Sequence, residues 1–269
     1  MYLLAIELTN NCNKNCIWCG ARAGLNQNLS YSDVISSIDK YKPRELAITG
    51  GEPLLREDLF QIIDYCKSKN IKVTLCTNGT LITEDIAKKL NADIINISID
   101  GIETIHDSIR GSGSFAEVLD GLSNLKKANK LNKVVIATVL GQQNKDQANK
   151  IINFFYPEIN KFMIARVVYA GKAKQKWLLN ALDILKVYFS ILPYRLNPFM
   201  KVVLTVQFWQ LPGPAFMGPV IRADGKIGYC CVRYNKIIGD IKNTNSLRST
   251  TCMFCKGCSK YKVKDPSKE

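Results

Sequence analysis

The chain has 269 residues, enough for one large domain or a domain with a small appendage. No apolar run approaches the roughly 18 residues of a membrane span, and ten cysteines without an export signal argue against a disulfide framework. A formal net charge of +14 invites a nucleic-acid reading, but the lysines are scattered and no basic block interleaved with aromatics is present, which speaks against a nucleic-acid partner.

In chain order, apolar runs rich in β-branched residues alternate with amphipathic stretches. The opening Met1-Tyr2-Leu3-Leu4-Ala5-Ile6-Glu7-Leu8 is too short for a signal peptide and lacks its basic start, so it reads as a first strand over 2–8. That reading expects a cytoplasmic protein with no membrane partner. A helix over 31–41 behind the N-cap Ser30 leads to a strand at 44–49. A helix over 56–69 stops at Asn70 and gives way to a strand at 71–76. Thr83 caps a helix over 83–90 that stops at Asn91 before a strand at 93–99. Helices near 114–128 and 144–156 then enclose a strand at 133–139, and a strand at 161–168 precedes a helical stretch at 174–191.

Six strand–helix repeats predict an α/β fold, a parallel sheet with helices outside. At about 195 residues the unit suits a partial (β/α)6 barrel better than a complete eight-stranded one of about 250. The pattern changes after Pro193 and Pro198. A strand over 201–209 is broken by Pro212-Gly213-Pro214, and 220–223 and 226–230 form a hairpin around Asp224-Gly225, which suits a type I′ turn. The expected division is a barrel over 1–198 and a small Cys-rich β-hairpin module over 199–269, which a metal cluster would help to hold together.

The cysteines gather at 12–19 and 230–258, with Cys66 and Cys76 apart as small core residues. The first group lies on Thr9-Asn10-Asn11-Cys12-Asn13-Lys14-Asn15-Cys16-Ile17-Trp18-Cys19, with three and then two residues between the thiols. No cysteine follows until Cys66, so a four-iron cluster held by Cys12, Cys16 and Cys19 keeps one iron without a protein ligand. Structural zinc sites instead fill all four positions, and the only histidine, His106, is far along the chain. This spacing, with the aromatic Trp18 before the third cysteine, resembles the radical S-adenosylmethionine (SAM) superfamily. The resemblance implies a [4Fe–4S] cluster whose open iron chelates the amino and carboxylate groups of SAM. It also implies one-electron cleavage of the sulfonium to a 5′-deoxyadenosyl radical.

Further motifs follow successive strands. Glycines let backbone approach a ligand, and Thr49-Gly50-Gly51-Glu52-Pro53 follows the second strand. The resemblance implies that Gly50, Gly51, Glu52 and Pro53 form the site for the methionine amino group, with Glu52 as acceptor. Thr77-Asn78-Gly79 ends the third strand, and Ser98-Ile99-Asp100-Gly101 ends the fourth with Ser98 and Asp100 on one face. By the same resemblance Thr77, Asn78, Ser98 and Asp100 approach the methionine or ribose. Arg166, set between Ala165 and Val167, needs an anionic partner, either cofactor or substrate. These motifs fall at strand carboxyl ends, where barrel-like α/β folds carry their active sites. The segment Ile105-His106-Asp107-Ser108-Ile109-Arg110-Gly111-Ser112-Gly113-Ser114-Phe115 resembles one common in the branch with extra C-terminal clusters. His106 reads there as a structural hydrogen-bonding residue, and Arg110 either pairs with a carboxylate or shapes the loop.

In the second group, Cys230 and Cys231 close the hairpin and Cys252-Met253-Phe254-Cys255-Lys256-Gly257-Cys258 follows. Interlocked Cys-x-x-Cys pairs signal a metal, and one hairpin cysteine completes four thiolates. Adjacent strand residues face opposite ways, so one of the hairpin pair ligates, and Cys230 is favoured. The arrangement resembles a shortened SPASM/Twitch module and implies one auxiliary [4Fe–4S] cluster on Cys230, Cys252, Cys255 and Cys258. A zinc knuckle would use the same thiolates. The resemblance as a whole implies an enzyme that takes hydrogen from a peptide, oxidising or crosslinking it, or from a small alcohol or sugar. It also implies an electron donor such as flavodoxin or ferredoxin. A non-catalytic, metal-stabilised nucleic-acid binder would leave Gly50-Gly51-Glu52-Pro53 and the three-cysteine loop unexplained.

Overall fold

Alternating apolar residues and capped amphipathic helices build one mixed sheet with helices on its outer face. The computed structural model describes residues 3–20, 26–168, 171–204, 220–228 and 237–241. In chain order the elements are β1 (Leu3–Glu7), α1 (Tyr31–Tyr41), β2 (Glu45–Thr49), α2 (Leu59–Ser68), β3 (Lys72–Thr77), α3 (Glu84–Lys89) and β4 (Ile94–Ser98). They continue with α4 (Thr104–Arg110), α5 (Ser114–Lys127), β5 (Val134–Leu140), α6 (Gln147–Phe155), β6 (Lys161–Arg166) and α7 (Ala181–Leu196). The last are β7 (Lys201–Leu204), β8 (Val220–Ile221), β9 (Lys226–Gly228) and β10 (Ile237–Asp240).

Among the described residues the sheet has ten strands in the order β10-β9-β8-β1-β2-β3-β4-β5-β6-β7. Neighbours from β1 to β7 are parallel, each joined by a helical crossover, and the sheet is not closed, which makes it a partial barrel. β8 pairs in parallel with β1, and β9 and β10 continue antiparallel from it. Strands from both sides of residue 198 therefore share one sheet.

The expected caps form. The Ser30 hydroxyl accepts the Asp33 amide at 3.0 Å, Thr83 accepts that of Ile86 at 3.3 Å, and Asn70 ends α2 with a positive φ of 57°. Two local expectations need correction, and one helix was not expected. The helix expected over 174–191 begins at Ala181, where Asn180 and Asp183 form a reciprocal capping box, and runs past Pro193 to Leu196. α4 is a seven-residue helix, shorter than hydrophobic periodicity can register. At the β8–β9 hairpin Gly225 takes a φ of 77° while Asp224 does not enter the left-handed region. The Gly225 amide closes a turn onto the Arg222 carbonyl at 2.9 Å, a three-residue loop ending in a left-handed glycine rather than a type I′ turn. The expected strand over 201–209 is described as far as Leu204. Cys230, Cys231, Cys252, Cys255 and Cys258 lie outside the described residues.

The two faces of the sheet differ in chemistry. Leu4, Ile6, Leu46, Ile48, Val73, Leu75, Ile95, Ile97, Ile136, Phe162 and Ile164 alternate onto the helix-covered face and join one buried core. Each such side chain contributes roughly 1.5–3 kcal/mol on burial. The other face carries Ala5, Ala47, Thr74, Asn96, Ala137 and Ala165, small or polar residues that leave room. That room opens at the carboxyl ends of the strands.

Candidate active site

The loop that leaves β1 is held by backbone contacts at both ends. Arg56 Nη1 donates to the carbonyls of Leu8 at 2.9 Å and Leu29 at 2.6 Å, tying the two ends of the cysteine-bearing segment together, while Asp58 grips its Nε at 2.7 Å. After β2, the Gly51 amide donates to Thr9 O at 2.6 Å and the Glu52 amide to Asn11 O at 2.8 Å. A Cβ on Gly50 would sit 2.4 Å from Thr9 O and one on Gly51 2.0 Å from Asn11 O. These two glycines are thus required by the approach of the cysteine loop itself. On the far side, Lys172 N donates to Cys19 O at 2.9 Å, and Gly171, with φ 58°, packs on the same carbonyl.

Cys12, Cys16 and Cys19 face a common cavity of about 300 Å³, the low end of small-molecule sites. Of the other sequence-predicted residues, Trp18, Gly50, Gly51, Thr77, Asn78, Ser98 and Arg166 line it. Trp18 is buried and meets Trp177 edge to face, with ring centroids 6.2 Å apart. Glu52, Pro53 and Asp100 stand behind the wall instead. Glu52 is fully buried, and its carboxylate accepts Thr77 Oγ1 at 2.7 Å, the Asn78 amide at 2.8 Å and the Leu54 amide at 3.1 Å. Burial pushes its pKa up, against the pull of those hydrogen bonds. Pro53 opens a short 3-10 turn. Asp100, also fully buried, pairs with Arg110.

Sequence reading missed several lining residues. Arg110 reaches the cavity from the end of α4, and Lys14, Thr49, Cys76, Val139 and Val167 complete much of the wall. Cys76 shares its sheet face with Asn96, whose Nδ2 donates to the thiol at 3.7 Å, and burial pushes its pKa up to about 11. Period-two alternation, which places Cys76 opposite Leu75 and Thr77, was the available signal.

The donors suit an iron–sulfur cluster, which takes thiolates. The Lys14 amide donates to Cys12 Sγ at 3.4 Å and Arg110 Nη1 to Cys16 Sγ at 4.0 Å, contacts that favour sulfur in its charged form. Burial nevertheless raises the pKa of both thiols, so thiolate here calls for a cation close by. The thiols line a wall rather than meet at a point: among the described residues no three His, Cys, Asp or Glu side chains are placed to hold a single metal ion.

The family model for the Radical SAM superfamily matches residues 6–155, more than half of the chain, and the chain belongs to that family. That family uses a [4Fe–4S] cluster and SAM. Among curated relatives, mycofactocin maturase MftC of Mycolicibacterium smegmatis is 30% identical over 183 residues, covering 65% of this chain and 46% of its own. AdoMet-dependent heme synthase of Methanosarcina barkeri is 36% identical over 162 residues, 55% of this chain and 45% of its own. The chain thus spans about half the length of the curated relatives it matches. Among solved structures, anSMEcpe with bound AdoMet and Cp18Cys peptide superposes with a TM-score of 0.74 at 20% identity, covering 96% of this chain and 83% of that one. SuiB of Streptococcus suis bound to S-adenosylmethionine gives 0.72 at 17% identity, with 90% and 63% covered. At these identities the likeness is one of fold.

Proposed function

We propose that Cys12, Cys16 and Cys19 hold the [4Fe–4S] cluster and that SAM occupies the cavity beside them. The observation that carries this reading is the convergence of the three thiols with the glycine pair after β2 and the polar ends of β3, β4 and β6 on one cavity. When bound, the cluster and SAM supply one-electron cleavage and an adenosyl radical that takes hydrogen from the substrate. The chain's own residues bind and orient. Gly50 and Gly51 keep the wall thin, and Ser98 offers a hydroxyl from β4. Arg166 has no carboxylate partner among the described residues and supplies a cation for an anionic group of cofactor or substrate. Glu52 acts one layer back, fixing Thr77 and Asn78, and Asp100 does the same for Arg110.

The substrate in this proposal is a peptide, oxidised or crosslinked. In support, relatives and structural neighbours include a mycofactocin maturase, SuiB bound to precursor peptide SuiA, and anSMEcpe bound to a peptide. A net charge of +14 would attract an acidic leader segment. Cys230, Cys252, Cys255 and Cys258 would hold one auxiliary [4Fe–4S] cluster in a module over 199–269, and a flavodoxin or ferredoxin would deliver electrons, in the cytoplasm. Among the described residues no helix is long and apolar enough to cross a membrane.

The test is turnover with a candidate precursor peptide. Reduced, anaerobically reconstituted protein should release 5′-deoxyadenosine and modify the peptide. Cys255→Ala should keep the first activity and lose the second. Modification that survives this change would remove the auxiliary cluster from the proposal.

A further inference from the structure

A buried ion pair stands behind Cys16, and in the reading above Asp100 fixes Arg110 while Arg110 itself is given no task. Asp100 Oδ2 accepts Arg110 Nε at 2.8 Å and Nη2 at 2.7 Å, a two-pronged grip that fixes the guanidinium plane. The carboxylate is itself held, since Oδ1 accepts the Val139 amide at 2.8 Å. Its backbone is held too: Asn144 Nδ2 donates to Asp100 O at 2.6 Å, and His106 Nδ1 accepts the Asp100 amide at 3.3 Å. The free prong, Nη1, lies 4.0 Å from Cys16 Sγ. One residue earlier, Ile109 O accepts the Ile17 amide at 3.0 Å, so α4 and the cysteine loop are tied at adjacent positions.

The pair is asymmetric with respect to the cavity. Arg110 lines it with 13% of its side chain exposed, while Asp100 has none exposed and does not line it. The positive end of a fixed dipole therefore faces the thiols and the negative end faces away. Desolvating both charges is costly, and packing alone does not require it.

We infer that Arg110 is a positioning residue that orients Cys16 Sγ and raises the reduction potential of the cluster ligated there, with Asp100 fixing its direction. The inference rests on the reading of Cys16 as a cluster ligand. Reduction adds one electron to a group already negative through its thiolates. A donor and positive charge beside a ligand sulfur stabilise the reduced form more than the oxidised one.

The experiment is a redox titration of the full, anaerobically reconstituted chain, with dithionite as the one-electron reductant, followed by the electron paramagnetic resonance of the reduced cluster and read beside iron content. Arg110→Gln should shift the midpoint to more negative potential at unchanged iron content, because the negative Asp100 is left facing the cluster. The double variant Asp100→Asn/Arg110→Gln removes both charges, leaves no uncompensated carboxylate to threaten folding, and should show a smaller shift in the same direction. Arg110→Lys, which keeps the charge without the fork, should fall between wild type and Arg110→Gln. A double variant and an Arg110→Lys variant that both titrate with wild type at equal iron content would overturn the inference. Failure of the ligand reading looks different: Cys16→Ala would keep its cluster, and both readings would fall together.

Discussion

His106 is the chain's one histidine, and it is fully buried between Asp100 and Ser114, tilted against Phe115 at 5.6 Å. Because Nδ1 accepts the Asp100 amide, the neutral ring carries its proton on Nε2, facing Ser114 Oγ at 3.3 Å. Burial, with Arg110 nearby, pushes its pKa down to about 3 from 6.5. Between those values the unfolded chain binds the extra proton, so the contribution of His106 to stability is complete above about 6.5 and declines as pH falls toward 3. In tag-free protein the single imidazole resonance should not titrate between about pH 5 and 8. A midpoint near the ordinary value would show the ring to be solvated. Gly51 sets a second limit at this scale. Alanine there places a Cβ 2.0 Å from the Asn11 carbonyl and should cost about 1–3 kcal/mol in urea unfolding. A loss under about 0.5 kcal/mol would mean that the loop yields easily. Gly51 stood out in the sequence because the family run marks it, whereas its partner Asn11 did not, since that contact joins two loops across the sheet.

At the scale of elements, the cysteine loop is an insertion between β1 and α1 closed by Arg56. Arg56→Met keeps much of the stem but removes the donors to Leu8 O and Leu29 O, and should lower stability by about 2–3 kcal/mol. It should also reduce the iron retained after reconstitution, because the loop ends part. Full iron content and unchanged denaturation would show the loop to be held by its other contacts alone. The strands and the longer helices were legible because burial on one face imposes a period. α4 was not, being too short for a period and defined by Asp107, whose carboxylate accepts the amides of Gly113 at 2.7 Å and Phe115 at 2.8 Å to turn the chain into α5. For Arg110 the sequence left a carboxylate partner or a loop role open: the carboxylate is that of Asp100, which precedes α4, and only the turn of that helix brings the two together.

Over the whole molecule, one sheet carries an aliphatic face under the helices and a face of small and polar residues toward the cavity. The first is plain in the sequence as alternating Leu, Ile and Val. The second reads locally as weak strand, and only the register of β1 through β6 turns it into a chamber wall. The join of β8 to β1 was equally out of reach, because it pairs Ala5 with Val220 across most of the chain. Cys12, Cys16 and Cys19 sit where that wall meets the strand ends. Mössbauer spectroscopy on iron-57-loaded protein, without and with SAM, tests this placement most directly. The account predicts a [4Fe–4S] spectrum in which one iron subsite changes when SAM is added, and loss of that signal in Cys16→Ala. Zinc in the loop, or an N-terminal cluster whose four irons ignore SAM, would contradict it.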